Sequence, residues 1–233
     1  MVKALILAAG RGQRMRPLTD LTPKPLLRVG GKRLIERQIE ALARAGIVDL
    51  VINTAHLPRQ FEAALGDGRA LGVSIDYSRE GDRAELALET LGGIVQALPS
   101  LGKDAFVVVS ADIVTDFDYA RLEIAAAAIR GGAALAHLVL VNNPVFHPAG
   151  DMALVNGRIA PDSTPRLTYA NIGVFSPALF ADVAPGRAKL FPWLYASARA
   201  DRVSGEHFHG RWHNLGTPAE LAALDAELSR GAT

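Results

Sequence analysis

The segment AAGRGQRMRPLTDLTPKPLL, residues 8–27, holds the residue types and the spacing best suited to chemistry. Small residues let the backbone come close to a ligand and point its N–H groups at phosphate oxygens, and guanidinium groups bind phosphate through two hydrogen bonds at once. A lysine between two prolines stands on backbone with few alternative conformations, so its ammonium group is presented at reduced entropic cost. The segment therefore predicts a phosphate-binding site built from Ala8, Ala9, Gly10, Arg11, Gly12, Arg14 and Lys24.

Two widespread phosphate-binding motifs do not describe this loop. The dinucleotide pattern Gly-x-Gly-x-x-Gly would require a glycine where the chain has Met15, and no Gly-Lys-Ser or Gly-Lys-Thr occurs anywhere in the sequence. A simple glycine turn with a solvated surface lysine is the alternative for such a loop taken by itself.

The elements that must position this loop follow an alternating pattern. Short runs rich in Val, Ile and Leu predict buried strands at residues 2–7, 49–53, 73–77 and 105–109. Apolar residues at helical spacing predict helices between them, at residues 32–46, 59–66 and 92–101. Such alternation produces right-handed βαβ units and a parallel sheet. Ligands bind at the carboxyl ends of the strands of such sheets, and both the first loop and Asp112 directly follow predicted strands.

The second half of the chain has the pattern of strands joined by turns. Strands or hairpins are predicted at residues 133–141, 151–160, 167–175 and 203–216, followed by a terminal helix with Thr217 as N-cap and Pro218 at its first position. Residues 142–165, rich in Pro, Gly and Asp, are predicted to form loops over a site. Since no linker or repeat divides the sequence, we predict one domain over residues 1–233, with a nucleotide-binding half at 1–130 and an acceptor-binding half at 131–233.

The overall composition excludes several classes of function. The 233 residues include 25 basic and 24 acidic side chains, without the one-signed excess of nucleic-acid clamps or polybasic membrane binders. The chain has no cysteine, which excludes disulfides and thiolate metal sites and suits a reducing cytoplasm. The apolar start is too short for a signal peptide, and no run reaches the roughly 18 apolar residues of a membrane span. We expect a soluble cytoplasmic protein with no nucleic-acid, membrane or obligate protein partner.

The motif AGRGQRMRPLT followed by TPKPLLRVGGKRLIE resembles the signature of the sugar-1-phosphate nucleotidyltransferases. The likeness continues through ALETLGGI, ADIVTDFD, NIGVF and WHNLGTPAEL and covers nearly the whole chain. Within the family, YSREG, HLVLVNNP and VSGEHFHGRW are most similar to the N-acetylmuramate α-1-phosphate uridylyltransferases of peptidoglycan recycling. The resemblance implies a single-domain, Rossmann-like α/β fold of the GT-A-like nucleotidyltransferase type, with a mixed, mainly parallel sheet flanked by helices. It also implies transfer of a nucleotidyl group from an NTP, first of all UTP, to a sugar 1-phosphate, with release of pyrophosphate.

The resemblance further implies catalytic roles for three residues. Arg14 would stabilise the triphosphate and the leaving pyrophosphate, Lys24 would bridge the α-phosphate and the sugar phosphate, and Asp112 would bind Mg²⁺. Phosphoryl-type transfer depends mainly on positioning and charge neutralisation, and Mg²⁺ usually takes one or two carboxylates together with phosphates and water. The alternatives are exposed ion pairs for the two cations and a helix N-cap for Asp112.

Other motif residues are implied to contact the two substrates. The nucleotide-binding set comprises Ala8, Ala9, Gly10, Arg11, Gly12 and Gly92, and the sugar-binding set comprises Glu89, Asn171, Gly173 and Glu206. Gly92 would let backbone groups approach a flat base, and Glu89 would accept hydrogen bonds from sugar hydroxyls. Helix capping by Thr90 is the competing interpretation of that segment.

Two positions depart from the family pattern. Ala111 stands where a glycine usually precedes the metal-binding aspartate, and Asn214 stands where relatives commonly carry aspartate. An amide oxygen can still ligate Mg²⁺, but it brings no charge and leaves one carboxylate at the metal site. These departures keep open a regulatory protein that binds a nucleotide sugar without turnover. Transfer from GTP to mannose 1-phosphate, or from dTTP to glucose 1-phosphate, also stays open.

A magnesium titration tests the metal role of Asn214. If Asn214 is a ligand, Asn214→Asp adds a second carboxylate, and the Mg²⁺ concentration at half-maximal rate should fall below that of the unaltered chain. The rate of pyrophosphate release against Mg²⁺ concentration measures this. An unchanged half-saturation point would count against a metal role at position 214.

Overall fold

A nine-stranded mixed sheet runs through the computed structural model, which describes residues 2–81 and 83–230. Its spatial order is β5-β4-β1-β6-β11-β8-β12-β10-β9. The strands of this sheet are β1 (Lys3–Leu7), β4 (Asp49–Thr54), β5 (Ser74–Arg79), β6 (Phe106–Ser110), β8 (Ala136–Val141), β9 (Ala153–Val155), β10 (Arg158–Ala160), β11 (Thr168–Phe175) and β12 (Val203–His207). Two small sheets pair β2 (Arg28–Val29) with β3 (Lys32–Arg33) and β7 (Ile113–Thr115) with β13 (Trp212–Asn214).

Helices connect these strands and cover the sheet. They are α1 (Leu18–Leu21), α2 (Leu34–Arg44), α3 (Pro58–Leu65), α4 (Glu89–Leu101), α5 (Leu122–Arg130), α6 (Trp193–Arg199) and α7 (Pro218–Arg230). None of the described helices is long and apolar enough to cross a membrane.

The four strands β5, β4, β1 and β6 are parallel and form the N-terminal half of the sheet. Each begins and ends within one or two residues of the strand predicted at that place, because runs of Val, Ile and Leu mark strands that are buried on both faces. Crossover helices α2, α3 and α4 lie between them in sequence, as predicted. Their carboxyl ends therefore share one edge of the sheet, where the first loop begins.

The strands of the C-terminal half run in both directions. Strand β11 is antiparallel to both β6 and β8, β12 is parallel to β8, and the hairpin β9–β10 closes the edge. Seven of the nine strands thus point the same way, with β10 and β11 reversed. The predicted fold class, a mixed and mainly parallel sheet flanked by helices, is confirmed.

Alternating side chains of the central strands build two apolar layers. On one face, Ile6 packs in a cluster with Ile39 of α2 and Phe61 of α3, and α5 belongs to the same layer. On the other face, Leu5 packs in a cluster with Ile94 of α4, and α6 belongs to that layer. Since successive strand residues point to opposite faces, one short strand anchors helices on both sides.

The C-terminal segment returns to the carboxyl end of β6. Strand β13 pairs with β7 in the register Asn214↔Ile113, and the Leu215 N–H donates to the Asp112 carbonyl at 3.1 Å. Helix α7 then starts from a reciprocal cap, since the Glu220 N–H donates to Thr217 Oγ1 and the Thr217 N–H donates to Glu220 Oε2. The predicted N-cap at Thr217 is confirmed.

A buried polar pair holds α2 against β7 beside this point. The Tyr119 hydroxyl donates to Gln38 Oε1, and Gln38 Nε2 donates to the Ile113 carbonyl. Tyr119 is 1 % exposed and Gln38 is 2 % exposed, so water cannot replace either partner.

Tyr119→Phe tests this pair. Removing the hydroxyl leaves Gln38 Oε1 buried without a donor, and the free energy of unfolding should fall by about 1–2 kcal/mol. Urea denaturation measures the change. The matched control is Tyr77→Phe. The hydroxyl of the half-buried Tyr77 donates to the carbonyl of the exposed Gly66 at 2.8 Å, so its removal should cost about 0.5 kcal/mol or less. Equal losses in both variants would contradict the importance of burial.

Candidate active site

One large cavity opens at the carboxyl ends of β1, β4, β5 and β6. Its volume is about 670 Å³, within the usual range of small-molecule sites. It is lined by residues 7–14, Lys24, Pro25, Asn53, Glu80, Ala87, Glu89, Thr90, Ser110, Asp112, Arg187 and Gly216. Two of these residues, Arg187 and Gly216, come from the second half of the chain, so both halves contribute to one site.

Lys24 and Asp112 form an ion pair in the wall of this cavity. Lys24 Nζ lies 2.6 Å from Asp112 Oδ2, and the two side chains are 10 % and 29 % exposed. Lys24 opens a 3-10 turn, Lys24–Leu26, directly after Pro23, and Asp112 follows the end of β6. A buried ammonium group is costly without a partner, so the carboxylate offsets the charge of the lysine in the free protein.

The first loop is shaped around Lys24. Gly12 has φ +62, and a Cβ at this position would come within 2.9 Å of the Thr19 side chain and 3.1 Å of Lys24 Cβ. The Thr19 hydroxyl donates to the Gly12 carbonyl at 2.8 Å. Only glycine meets both demands, a positive φ and a close approach. The loop therefore lies against Lys24, and its residues 8–12 line the cavity together with the lysine.

Arg14 reaches the cavity over Gly216. A Cβ at Gly216 would lie only 3.0 Å from the nearest guanidinium nitrogen of Arg14, so the absence of a side chain there makes room for the arginine. The segment that carries Gly216 is fixed by the bond from Leu215 to Asp112 and by Glu220, whose Oε2 accepts from the Gly216 N–H at 2.7 Å. Arg14, Lys24 and Asp112 thus line one cavity.

A second polar group, which the sequence reasoning missed, lies at the ends of β4 and β5. Asn53 Oδ1 accepts from the Ala8 N–H at 2.7 Å, and Asn53 Nδ2 donates to Glu80 Oε1 at 2.6 Å. The Leu88 N–H donates to Glu80 Oε2 at 2.7 Å. Burial raises the pKa of Glu80, although these hydrogen bonds act in the opposite direction. A polar residue closing an apolar strand, as Asn53 does in sequence, is a signal that could have found it.

Glu89 and Arg187 meet at the start of α4. Arg187 Nη2 donates to Glu89 Oε1 at 2.9 Å, and Glu89 has φ +62, an uncommon conformation for a residue with a side chain. Thr90 does not cap α4. The N-cap residue of this helix is Leu88, and no side chain forms a capping hydrogen bond there. Arg187 has no motif around it, and the sequence reasoning did not find it.

The structure gives Gly92 a packing role. A Cβ at Gly92 would lie 2.2 Å from the Gly186 carbonyl oxygen. The glycine thus accommodates the protein's own loop, and it is not among the residues that line the cavity. Gly173 likewise packs inside the sheet, since a Cβ there would meet the His137 carbonyl at 2.9 Å. Asn171, with φ +58, sits at the irregularity of β11 between Tyr169 and Gly173, outside the cavity wall.

Glu206 also lies apart from the cavity. Its carboxylate on β12 accepts from the Arg121 guanidinium, and His137 Nε2 is 3.6 Å from Oε1. Its pKa is lowered by the nearby His137 imidazole and by the positive charge of Arg121. Asn214 lines a separate cavity of about 240 Å³ together with residues such as Phe146 and Glu220.

The structure therefore gathers the first loop, Arg14, Lys24, Glu89 and Asp112, and leaves Gly92, Asn171, Gly173, Glu206 and Asn214 outside.

The predicted loop cover at residues 142–165 does not line the large cavity. Its part 153–160 forms the hairpin β9–β10 at the far edge of the sheet, with the turn at Asn156 and Gly157 in left-handed backbone conformation. Pro144 and Phe146 face the smaller cavity instead.

The donor atoms of the large cavity fit a magnesium ion that is shared with a substrate. No cluster of three or more His, Cys, Asp or Glu suitable for a metal occurs among residues 2–81 and 83–230. Asp112 offers a carboxylate to the cavity, and Ser110 lines the same wall. Because Mg²⁺ binds hard oxygens and commonly completes its shell with phosphates and water, one carboxylate would be enough if a bound phosphate ligand supplied further oxygens.

Comparison with known proteins agrees with this geometry. Residues 3–145 match the family of nucleotidyl transferases. The chain belongs to the nucleotidyl transferase family. This nucleotidyltransferase is 46 % identical to the N-acetylmuramate α-1-phosphate uridylyltransferase of Neisseria meningitidis, with 97 % of each chain covered. It is 32 % identical to the protein of the same name from Caulobacter vibrioides, over 97 % of this chain and 96 % of the relative.

More distant relatives share the architecture. Mannose-1-phosphate guanylyltransferase of Mycobacterium tuberculosis is 31 % identical, and the alignment covers 99 % of this chain but 65 % of the relative. Among solved structures, a Bacillus anthracis protein assigned as a glucose-1-phosphate thymidylyltransferase superposes with a TM-score of 0.83 at 22 % identity, covering 98 % of this chain and 96 % of the other. This likeness establishes that the nucleotidyltransferase has the same fold.

The raised pKa of Glu80 predicts a pH-dependent contribution to stability. Below its unfolded pKa of 4.5 the carboxyl group is neutral in both states, and as pH rises through the higher folded pKa the buried group ionises at a cost. The free energy of unfolding, relative to Glu80→Gln, should therefore be larger at pH 4.5 than at pH 8. Urea denaturation of both proteins across this range measures the difference. A difference that stays constant or grows with pH would contradict a raised pKa.

Proposed function

We propose that this nucleotidyltransferase transfers the uridylyl group of UTP to N-acetylmuramate 1-phosphate. The class of reaction is supported by one observation above all, the position of Arg14, Lys24 and Asp112 on the wall of one cavity. The choice of substrates is supported by the two relatives named as N-acetylmuramate α-1-phosphate uridylyltransferases, which align over nearly the whole chain. The products would be pyrophosphate and a UDP-sugar for cell-wall precursor recycling in the cytoplasm.

The reaction forms one bond to phosphorus and breaks another. A phosphate oxygen of the acceptor sugar attacks the α-phosphorus of UTP, and the bond from that phosphorus to the oxygen bridging to the β-phosphate breaks. The electron pair of the broken bond leaves with pyrophosphate. The attacking phosphate oxygen is already anionic at neutral pH, so no base is needed to deprotonate the nucleophile. The protein's task is to bring two polyanions together, which requires positive charge and fixed positions.

Arg14 and Lys24 supply that charge. The Arg14 guanidinium can bind the β- and γ-phosphates through two hydrogen bonds, and it is held in place over Gly216. The Lys24 ammonium, held close to Asp112, can pass to the α-phosphate and the attacking phosphate. The backbone N–H groups of residues 9–12, which follow β1 and line the cavity, can add dipoles toward the triphosphate.

Asp112 is the residue that would hold Mg²⁺. The ion, when bound, neutralises phosphate charge and orients the triphosphate. In the free protein the same carboxylate is neutralised by Lys24. Binding of a magnesium–nucleotide complex would release the lysine toward the phosphates, so the ion pair keeps the lysine close to the place where it acts. Asn214 lies one strand away on β13 and lines the smaller cavity, which makes it the less favourable of the two predicted ligands.

Pyrophosphate release tests the proposal. UTP, GTP and dTTP are each offered with N-acetylmuramate 1-phosphate, mannose 1-phosphate and glucose 1-phosphate in the presence of Mg²⁺. We expect the highest kcat/KM for UTP with N-acetylmuramate 1-phosphate. A different best pair would overturn the substrate assignment and keep the class of reaction. Nucleotide-sugar binding without pyrophosphate release from any pair would favour a regulatory protein.

Substitution of Lys24 and Arg14 tests the mechanism. Lys24→Met and Arg14→Met each remove a positioned charge from the site, and each should lower kcat/KM by about 100- to 1,000-fold. Steady-state kinetics with the best substrate pair measures the loss. The control is Lys32→Met, which removes an exposed lysine paired with Glu40 and should leave the rate unchanged. Nearly full activity of both site variants would contradict their proposed roles.

A further inference from the structure

Arg187 lines the cavity but has no role in the chemistry described above. It lies in the connection between β11 and α6, in the C-terminal half of the chain. Its side chain is 68 % exposed and pairs with Glu89, which is 35 % exposed. A guanidinium group that reaches an active-site cavity from outside the phosphate-binding loop is available for a substrate contact of its own.

The backbone on both sides of Arg187 is fixed to the start of α4. The Ala188 N–H donates to the Leu88 carbonyl at 2.9 Å, and the Ala188 carbonyl accepts from the Leu91 N–H at 3.0 Å and from the Gly92 N–H at 3.2 Å. Gly92 lacks a Cβ at the point where the Gly186 carbonyl comes close. These contacts satisfy free N–H groups of the helix start. They place Arg187 at the cavity in a defined position.

The side chain of Arg187 is free to exchange its partner. An ion pair between two partly exposed side chains contributes little, about 0–1 kcal/mol. A substrate anion that brings a second hydrogen bond would therefore compete with Glu89 successfully. Glu89 holds the guanidinium beside the cavity until such an anion arrives.

The position of Arg187 separates it from the phosphates. Asp112, Lys24 and Arg14 lie around the end of β6, whereas Glu89 follows Leu88, which is bonded to Glu80 beyond the end of β5. Strands β5 and β6 are three steps apart in the sheet. At about 4.8 Å per step, their ends are roughly 14 Å apart. This spacing leaves room for a partner of Arg187 other than the phosphates that Arg14 and Lys24 would bind.

We propose that Arg187 binds a carboxylate on the acceptor sugar and determines specificity for it. This inference rests on the proposed function, in which the base and ribose of UTP are neutral and the acceptor is a hexose 1-phosphate with a lactyl ether. The lactyl carboxylate is the one anion of the two substrates that lies away from the phosphates. The guanidinium fork matches its two oxygens. The site thus selects acidic sugar phosphates over neutral ones.

A comparison of two acceptors tests Arg187. N-acetylmuramate 1-phosphate and N-acetylglucosamine 1-phosphate differ only in the lactyl group. With UTP and Mg²⁺, Arg187→Met should lower kcat/KM for the acidic acceptor by about 10- to 100-fold, and should change kcat/KM for the neutral acceptor by less than about 3-fold. Arg187→Lys keeps the positive charge but lacks the two-pronged guanidinium. With the acidic acceptor, its kcat/KM should lie between that of Arg187→Met and that of the unaltered protein.

Arg199→Met is the matched control, since Arg199 is an exposed arginine paired with Asp162 outside the cavity lining. Its kinetics should equal those of the unaltered protein with both acceptors. Equal losses of Arg187→Met with both acceptors, or no loss with either, would overturn the assignment of Arg187 alone. If the unaltered protein released no pyrophosphate with the acidic acceptor, the proposed function would fail, and this inference with it. Melting temperatures of all variants confirm that they are folded.

Discussion

The ion pair of Lys24 with Asp112 is the constraint on which the rest of the site depends. Its partners are 88 positions apart in sequence, and the lysine is nearly buried. Charge at such a place is tolerated only with a partner at hydrogen-bond distance, so the first loop and the end of β6 must meet. The glycine at position 12, which lets the loop lie against Lys24, follows from the same requirement. The polar wall of the cavity is organised around this contact.

The two halves of the chain complete each other at this edge of the sheet. The N-terminal half supplies the parallel strands whose carboxyl ends carry the loop, Asn53 and Asp112. The C-terminal half contacts this edge of the sheet at two points. Gly216 leaves room for the Arg14 side chain, and the segment around Ala188 is hydrogen-bonded to the start of α4. A cavity built from both halves suits a reaction between two substrates, because each half can hold one of them near the shared boundary.

The sequence predicts the features that depend on local pattern. Apolar runs locate β1, β4, β5 and β6, and the first loop with Lys24 indicates the phosphate site, because glycine, arginine and proline at this spacing favour close contact with an anion. Features that depend on tertiary contact are missed. Gly92 looks like a ligand contact, but its missing Cβ makes room for the Gly186 carbonyl. Glu206 lies on a predicted strand, yet its carboxylate is bound by Arg121. Arg187 is found only from the fold, because a single arginine in a loop carries no periodicity or motif.

A crystal structure of the protein with UTP and Mg²⁺ tests the central claim, the convergence of three side chains on one triphosphate, most directly. We expect the triphosphate in the large cavity, with Lys24 Nζ and the Arg14 guanidinium about 3 Å from phosphate oxygens and Asp112 on the metal. We also expect the distance between Lys24 Nζ and Asp112 Oδ2 to be longer than the 2.6 Å of the free protein. A triphosphate bound elsewhere, or bound in the cavity with the Lys24–Asp112 pair intact and Arg14 out of reach, would contradict that claim.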